Sequence, residues 1–305
     1  MGMPNANKIK PVYLIRALRL PFITASILPF IFGSLLAKNN FHSLAFFLGL
    51  ICVGCTHLSA NLINDYADSK SGADWQDRHF YGFFGGSKLI QDKILDESFY
   101  LSAAVVCFAI ASLCILILAL ILHSFFIIVI FSLIILLAWF YSLRPLAFSY
   151  HHLGEVIIFL LFGPALVMGG YFIQTKIFPT LIGFLLSLPF GFLTTAILFT
   201  NEVPDCPDDK KAGKFTWVSL IGAGRAFIIY AFLICAAFIF ILANVAFGNL
   251  KPLAVFSLIF ILPAIKAVKI LKQYPADKNK LIESSKITIA IQALVSIILI
   301  LGLIL

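Results

Sequence analysis

The chain has 305 residues, of which 61% are hydrophobic and 12% charged, with 32 Phe and a formal net charge of +8; its mean hydropathy is +1.04. That balance is far from a soluble globular domain and places the chain in a bilayer. The basic surplus does not indicate nucleic acid, because no soluble basic domain is present to carry such an interface.

A helix crosses a bilayer with about 17–25 mostly apolar residues. Nine stretches qualify, at approximately 20–37, 43–63, 101–122, 124–141, 153–174, 178–200, 219–247, 252–270 and 286–305. Such segments bury their apolar surface in lipid and against one another. The expectation is therefore an all-α membrane protein, a bundle of about nine transmembrane helices forming a single domain over residues 1–305.

The opening "MGMPNANKIKPVYLIRALRLPF" has the basic start and apolar sequel of a signal peptide. Eight further apolar stretches behind it favour a retained first helix. Myristoylation is unsupported, because Ala6 stands where Ser or Thr is required. In the second stretch Cys52 and Cys55 form a C-x-x-C, but neither a second ligand pair nor a βαβ context accompanies it, so the cysteines read as packing residues.

With nine crossings the N-terminus and the loops after spans 2, 4, 6 and 8 share a side. That side holds 19 of the 22 Lys and Arg; the other holds only Lys38, Lys176 and Lys251. The positive-inside rule makes the crowded side cytoplasmic, and anionic headgroups suit the same charge. Trp139 and Trp217 fall at the even-side ends of spans 4 and 7, where an aromatic belt belongs.

The acids are concentrated too. Asp65, Asp68, Asp74, Asp77, Asp92, Asp96 and Glu97 follow span 2, and Glu202, Asp205, Asp208 and Asp209 follow span 6, which is 11 of the 14. Asn61, Asp65 and Asp68 recur 140 residues later as Asn201, Asp205 and Asp208, as in a parallel repeat within a bundle. If the second helix continues past the membrane surface, 61, 65 and 68 lie at i, i+4 and i+7 on one face. Asp205 and Asp209 align at i, i+4 as well, although Pro204 and Pro207 weaken that helix.

Unpaired carboxylates near hydrocarbon cost about 2.5–3.5 kcal/mol each, so a cation should meet them. Solvated loop acids and helix caps account for most loop aspartates, but not for paired positions each preceded by Asn. Two carboxylate groups on facing helix ends suit Mg²⁺, which takes one or two carboxylates, waters and phosphate oxygens, and a pair of such ions clamps a diphosphate. Lys88, Arg144 and one of Lys210, Lys211 or Lys214 stand on the correct side for phosphate. "GFFGGSK" is no Walker A loop, because the spacing fails and Leu89 replaces Ser/Thr.

Together, "NDYADSKSGAD" and "DCPDD" resemble the paired motifs of the UbiA superfamily of intramembrane prenyltransferases. Its members carry N-D-x-x-D after the second helix and D-x-x-x-D after the sixth of nine. With "GGSKLIQ" and "NEVPDCPDDKKAGK", the motifs are most similar to the branch that prenylates 1,4-dihydroxy-2-naphthoate for menaquinone.

The resemblance implies two Mg²⁺ ions held by the catalytic Asp65, Asp68, Asp205 and Asp209, with Asp74 as a further acid and Asp208 able to replace one of the second pair. Asn61, Asn64 and Asn201 would bind the polyprenyl diphosphate headgroup, with Lys88 and Arg144 as fixed cations. An electron-rich aromatic acceptor would attack the allylic cation in a dry site.

Tyr141 and Ser142 are candidate cavity residues, Tyr141 equally an interface anchor. Glu155 reads as a helix-start acid, His57 as a buried hydrogen-bonded histidine, and His151 and His152 as interfacial. The expected location is a bacterial inner membrane, with the motif loops cytoplasmic. Other acceptors (4-hydroxybenzoate, a chlorophyll precursor, a glycerol phosphate ether) stay open. A cation-coupled transporter is disfavoured because its acids belong near the midplane.

Overall fold

The computed structural model describes residues 10–72, 75 and 77–304; Asp74 lies outside them. Every regular element among them is helical, apart from one isolated bridge between His151 and Phe215.

Helix α1 (Pro11–Ala17) ends where Arg19 adopts a left-handed conformation, and a short turn leads into α2 (Thr24–Leu35), bent from the first segment by 50°. Helix α3 (Ser43–Ser71) starts on a His42 cap and stops at Gly72, whose φ of 85° favours glycine. It therefore runs on past the apolar stretch and carries Asn61, Asp65 and Asp68 on continuous helix. Asp96 caps α4 (Glu97–Leu122) by accepting from Phe99 N at 2.8 Å.

Helix α5 (Phe126–Phe140) has only 15 residues, about 22 Å at 1.5 Å per residue, against a hydrocarbon core of about 30 Å. It ends five residues before Pro145, whose ring disfavours helix at Arg144. Helix α6 (Gly154–Leu160) passes through a wider turn at Leu161–Ala165, containing Pro164, into α7 (Leu166–Thr175). A widened turn absorbs the carbonyl that proline leaves without a partner.

Helix α8 (Leu181–Lys211) keeps its helical course through Pro189, Pro204 and Pro207. The prolines thus do not interrupt the stretch carrying Asp205 to Asp209. An interior proline costs roughly 3 kcal/mol, and packing offsets it here: 67% of the apolar stretch of α8 is buried in the bundle, against 22% for the peripheral α4. Helices α9 (Trp217–Ile221) and α10 (Ala226–Ala246) follow, then α11 (Ile261–Gln273), entered through a tighter helix at Pro252–Phe260, and α12 (Lys278–Ile304).

Seven helices among the described residues are long and apolar enough to cross a membrane, or eight if the bent first pair is one span. The expected nine differ from this at two places. The first segment is broken at Arg19, and the fourth is too short to count by itself.

The largest apolar core gathers Phe32, Phe190, Phe199, Tyr230, Leu271 and Leu299 around α8. Exposed Leu120, Phe232, Phe256 and Leu262 clothe the periphery, as lipid-facing positions require.

Candidate active site

The C-terminal turns of α3 and α8 meet at one end of a cavity of about 350 Å³. Asn61, Asn64 and Asp68 line it from α3, and Asn201, Asp205, Asp208 and Asp209 line it from α8. The two acidic groups are joined by Lys214, from the loop after α8, whose Nζ lies 3.6 Å from both Asp68 Oδ2 and Asp209 Oδ1. Burial lowers the proton affinity of Lys214, but Asp209 and Asp68 outweigh it and hold the ammonium well above the ordinary lysine value.

Asp68 is further fixed by Tyr150, whose hydroxyl donates to Oδ1 at 3.1 Å, and by Asn64 Nδ2 at 3.3 Å. Asn64 Nδ2 also donates to Ser142 Oγ at 2.8 Å. Ser142 therefore supports the site from behind instead of lining it. Asn201 Oδ1 accepts from Ser285 Oγ at 2.8 Å, which ties the second motif to α12.

Two acids that the spacing treats as equals are placed differently. Asp65 does not line the cavity: Arg19 pairs with its Oδ1, and Ser87 N donates to its Oδ2 at 3.3 Å. Asp205 lines the cavity but accepts from Gly85 N at 2.9 Å. The Ser87 and Gly85 contacts come from the loop after α3, which folds back across the helix ends, whereas Arg19 reaches Asp65 from the turn between α1 and α2. Lys88 in that loop is buried and lines the cavity. Its φ of 59° is one of five positive values between Gly82 and Lys93.

Arg144 is exposed and outside the cavity lining. Lys210 and Lys211 are likewise exposed, on the outer side of the last turn of α8, with Lys211 at 4.0 Å from Asp208. Tyr141 lines the cavity. Glu155 is buried, and its Oε1 accepts from Trp217 N, joining the start of α6 to the start of α9. His152 docks on the Thr216 carbonyl at 3.2 Å.

Sequence reasoning missed Lys278 and Glu202. Lys278 Nζ reaches Asp77 Oδ2 at 2.9 Å and Asp208 Oδ2 at 3.0 Å, tying the start of α12 to both acidic segments. Burial works against ionisation of Asp77, yet Lys278, the His79 N–H and the Tyr81 hydroxyl hold its carboxyl down at about 2. Glu202 is buried in the cavity wall beside Glu155. Its place beside Asn201 was the available signal.

Among the described residues, no three His, Cys, Asp or Glu side chains converge on a closed metal cage. The donors at the mouth are carboxylate and amide oxygens, one acid from each helix around a point that Lys214 fills with positive charge. An all-oxygen, half-built set fits Mg²⁺, which leaves room for water and phosphate oxygens.

A family model described as the UbiA prenyltransferase family matches residues 26–289. The chain belongs to that family. As a UbiA protein it is an integral membrane transferase that moves prenyl groups.

Its relatives include UbiA prenyltransferase domain-containing protein 1 of Dictyostelium discoideum, 27% identical over 92% of this chain and 82% of that protein. The 1,4-dihydroxy-2-naphthoate octaprenyltransferase of Bacillus subtilis is 27% identical over 85% of this chain and 82% of its own length. That of Mycobacterium tuberculosis is 29% identical over 59% of each.

The fold is that of solved UbiA homologs. The apo protein from Aeropyrum pernix superposes with a TM-score of 0.71 at 18% identity, over 92% of this chain and 96% of its own. The Archaeoglobus fulgidus homolog bound to GPP and Mg²⁺ does so with 0.59 at 14%, over 94% and 99%.

Proposed function

We propose that this UbiA protein transfers a polyprenyl group from polyprenyl diphosphate to 1,4-dihydroxy-2-naphthoate, working as one catalytic unit with its acidic mouth on the cytoplasmic face of a bacterial inner membrane. The observation that carries this reading is the convergence of Asp68 and Asp209 on a single cation position, 3.6 Å from each. The mouth opens onto a cavity whose deeper wall is largely apolar, with Phe30, Ile115, Leu118, Phe131 and Phe162. A diphosphate headgroup suits the first part and an isoprenoid chain the second.

Asp68, Asp205 and Asp209 at the cavity, with Asp65 behind them against Arg19, would hold Mg²⁺ in this reading, and the metal would supply charge stabilisation for the departing diphosphate. The remaining work falls to the chain's own groups. Lys88, Lys214 and Lys278 line the cavity beside the acids and meet phosphate oxygens as fixed cations. Asn61, Asn64, Asn201 and Tyr141 orient the headgroup. Pre-aimed charges and dipoles lower the barrier because they need no reorganisation as the C–O bond breaks. The loop carrying Gly85 and Lys88 covers the helix ends and keeps water from the allylic cation.

The acceptor assignment draws on the motif likeness and on the naphthoate transferases among the relatives. The test is direct. Purified protein is incubated with a polyprenyl diphosphate, Mg²⁺ and a panel of 1,4-dihydroxy-2-naphthoate, 4-hydroxybenzoate and a glycerol phosphate ether, and products are weighed by mass spectrometry. Prenylated naphthoate is the expected product, lost with EDTA and reduced by about 100-fold or more in Asp68→Asn. Turnover of another acceptor alone would overturn the naphthoate assignment, and undiminished turnover in EDTA would overturn the metal.

A further inference from the structure

Of the buried side-chain atoms without a hydrogen-bond partner among the described residues, those of His57, Asn61 and Thr194 belong to residues lining the cavity below the acidic mouth. Each such orphan costs about 1–3 kcal/mol, so three around one space call for a polar occupant. Asn61 stands near the acidic mouth. His57 and Thr194 lie deeper: at 1.5 Å rise per residue, His57 sits about 6 Å below Asn61 along α3 and about 12 Å below Asp65. An isoprenoid tail has no atom that satisfies them.

His57 is the most constrained of the three. It is 7% exposed, its Nδ1 is 2.7 Å from Ser26 Oγ on α2, and Phe162 meets its ring edge-on at 6.0 Å between centroids. Ser26 thus fixes the ring from one side, and Nε2 is left without a partner inside the cavity wall. When Nδ1–H donates to Ser26, Nε2 carries the lone pair.

We propose that His57 Nε2 is the acceptor-side catalytic group, binding a ring hydroxyl of the aromatic acceptor, with Thr194 beside it and Ser26 as the positioning residue. The inference rests on the transfer reading above and adds the second substrate's subsite. Seated there, the acceptor presents to His57 the hydroxyl ortho to its reacting carbon, with that carbon toward Asn61 and the headgroup.

As the prenyl C1–O bond breaks with its electron pair going to diphosphate, a ring π pair forms the C–C bond to C1. The hydroxyl proton passes to Nε2, leaving a neutral ring ketone. The proton on the newly bonded ring carbon then leaves to a diphosphate oxygen, and His57 returns its proton to the ring oxygen. Every proton is accounted for, and no further reactant is needed.

The experiment compares wild type with His57→Phe and His57→Gln, reading acceptor KM, kcat, acceptor binding to the Mg²⁺-loaded protein and the affinity for polyprenyl diphosphate. Glutamine keeps a hydrogen-bonding atom near Nε2 but takes no proton. It is expected to hold acceptor KM within about threefold while kcat falls about 100-fold. Phenylalanine is expected to raise acceptor KM and Kd about tenfold as well. Both should leave polyprenyl diphosphate affinity unchanged, which also reports correct folding.

Unchanged acceptor KM and kcat in His57→Gln would overturn the proposal and leave ordered water as the occupant. A change confined to diphosphate affinity would overturn it equally. Failure of wild type to bind polyprenyl diphosphate is visible before any acceptor is added, and would instead remove the transfer reading on which the proposal stands.

Discussion

Lys214 holds an unusual position, with its ammonium between carboxylates from two helices and only 15% of its side chain exposed, against 8% and 7% for Asp68 and Asp209. Removing one partner of a buried ionic cluster costs about 3–5 kcal/mol, because the charges left behind stay desolvated. Lys214→Met should therefore lower the Tm of the metal-free protein, and millimolar Mg²⁺ should restore more of that loss than it adds to wild type. Thermal unfolding with and without Mg²⁺ reads this directly. An unchanged Tm, with no larger Mg²⁺ effect, would show that the ammonium does not hold the two acidic helix ends together.

The acidic residues were legible because their period matches a helix and their pairing repeats along the chain. Lys278 was not, because its partner Asp77 is 201 residues away and nothing local marks the contact. Nor does spacing distinguish Asp65, turned to Arg19, from Asp68, turned to the cavity. That difference depends on a loop folding back over α3.

At the scale of elements, the nine apolar stretches read from the sequence exceed the seven helices, or eight with the bent first pair, that are long and apolar enough to cross among the described residues. Length alone misjudged the first and fourth, where Arg19 and Pro145 act through backbone geometry. Helix contacts were less legible, since close approach depends on which small residue faces which neighbour.

Gly33 on α2 is such a residue: a Cβ there would stand 2.0 Å from the Val167 carbonyl oxygen on α7. Backbone cannot swing aside, so α2 and α7 would have to separate, and overpacking of this kind costs about 1–3 kcal/mol. Gly54 on α3 provides the control, with nothing within 4 Å of its Cβ position. Both substitutions to Ala gain the same helix propensity, roughly 1 kcal/mol, so their difference isolates the contact. Gly33→Ala is expected to lower Tm, while Gly54→Ala leaves it level or raises it. Equal effects would mean that α2 and α7 are not closely packed in the membrane.

For the whole molecule, charge and architecture make a joint statement about orientation. Lys278 touches Asp208 at the acidic mouth, so the start of α12 and its exposed neighbour Lys280 lie at that end. Lys251 precedes the span Pro252–Gln273, whose 22 residues separate its two ends by about 33 Å, and therefore lies at the opposite end. With the crossings alternating as the nine apolar stretches predict, 19 of 22 basic residues fall on the mouth side, and the bias of Lys and Arg toward the cytoplasm makes the inner side the expected one for the mouth.

All six native cysteines lie within helices α3, α4, α8 and α10 and are free thiols, so an exposed engineered cysteine stands out against them. Lys280→Cys should react with a membrane-impermeant maleimide in inside-out vesicles only, and Lys251→Cys in right-side-out vesicles only. The reverse pattern would place the acidic mouth outside the cell, away from a cytoplasmic supply of diphosphate substrate. Labelling of both positions from one side would mean an even number of crossings between the two residues.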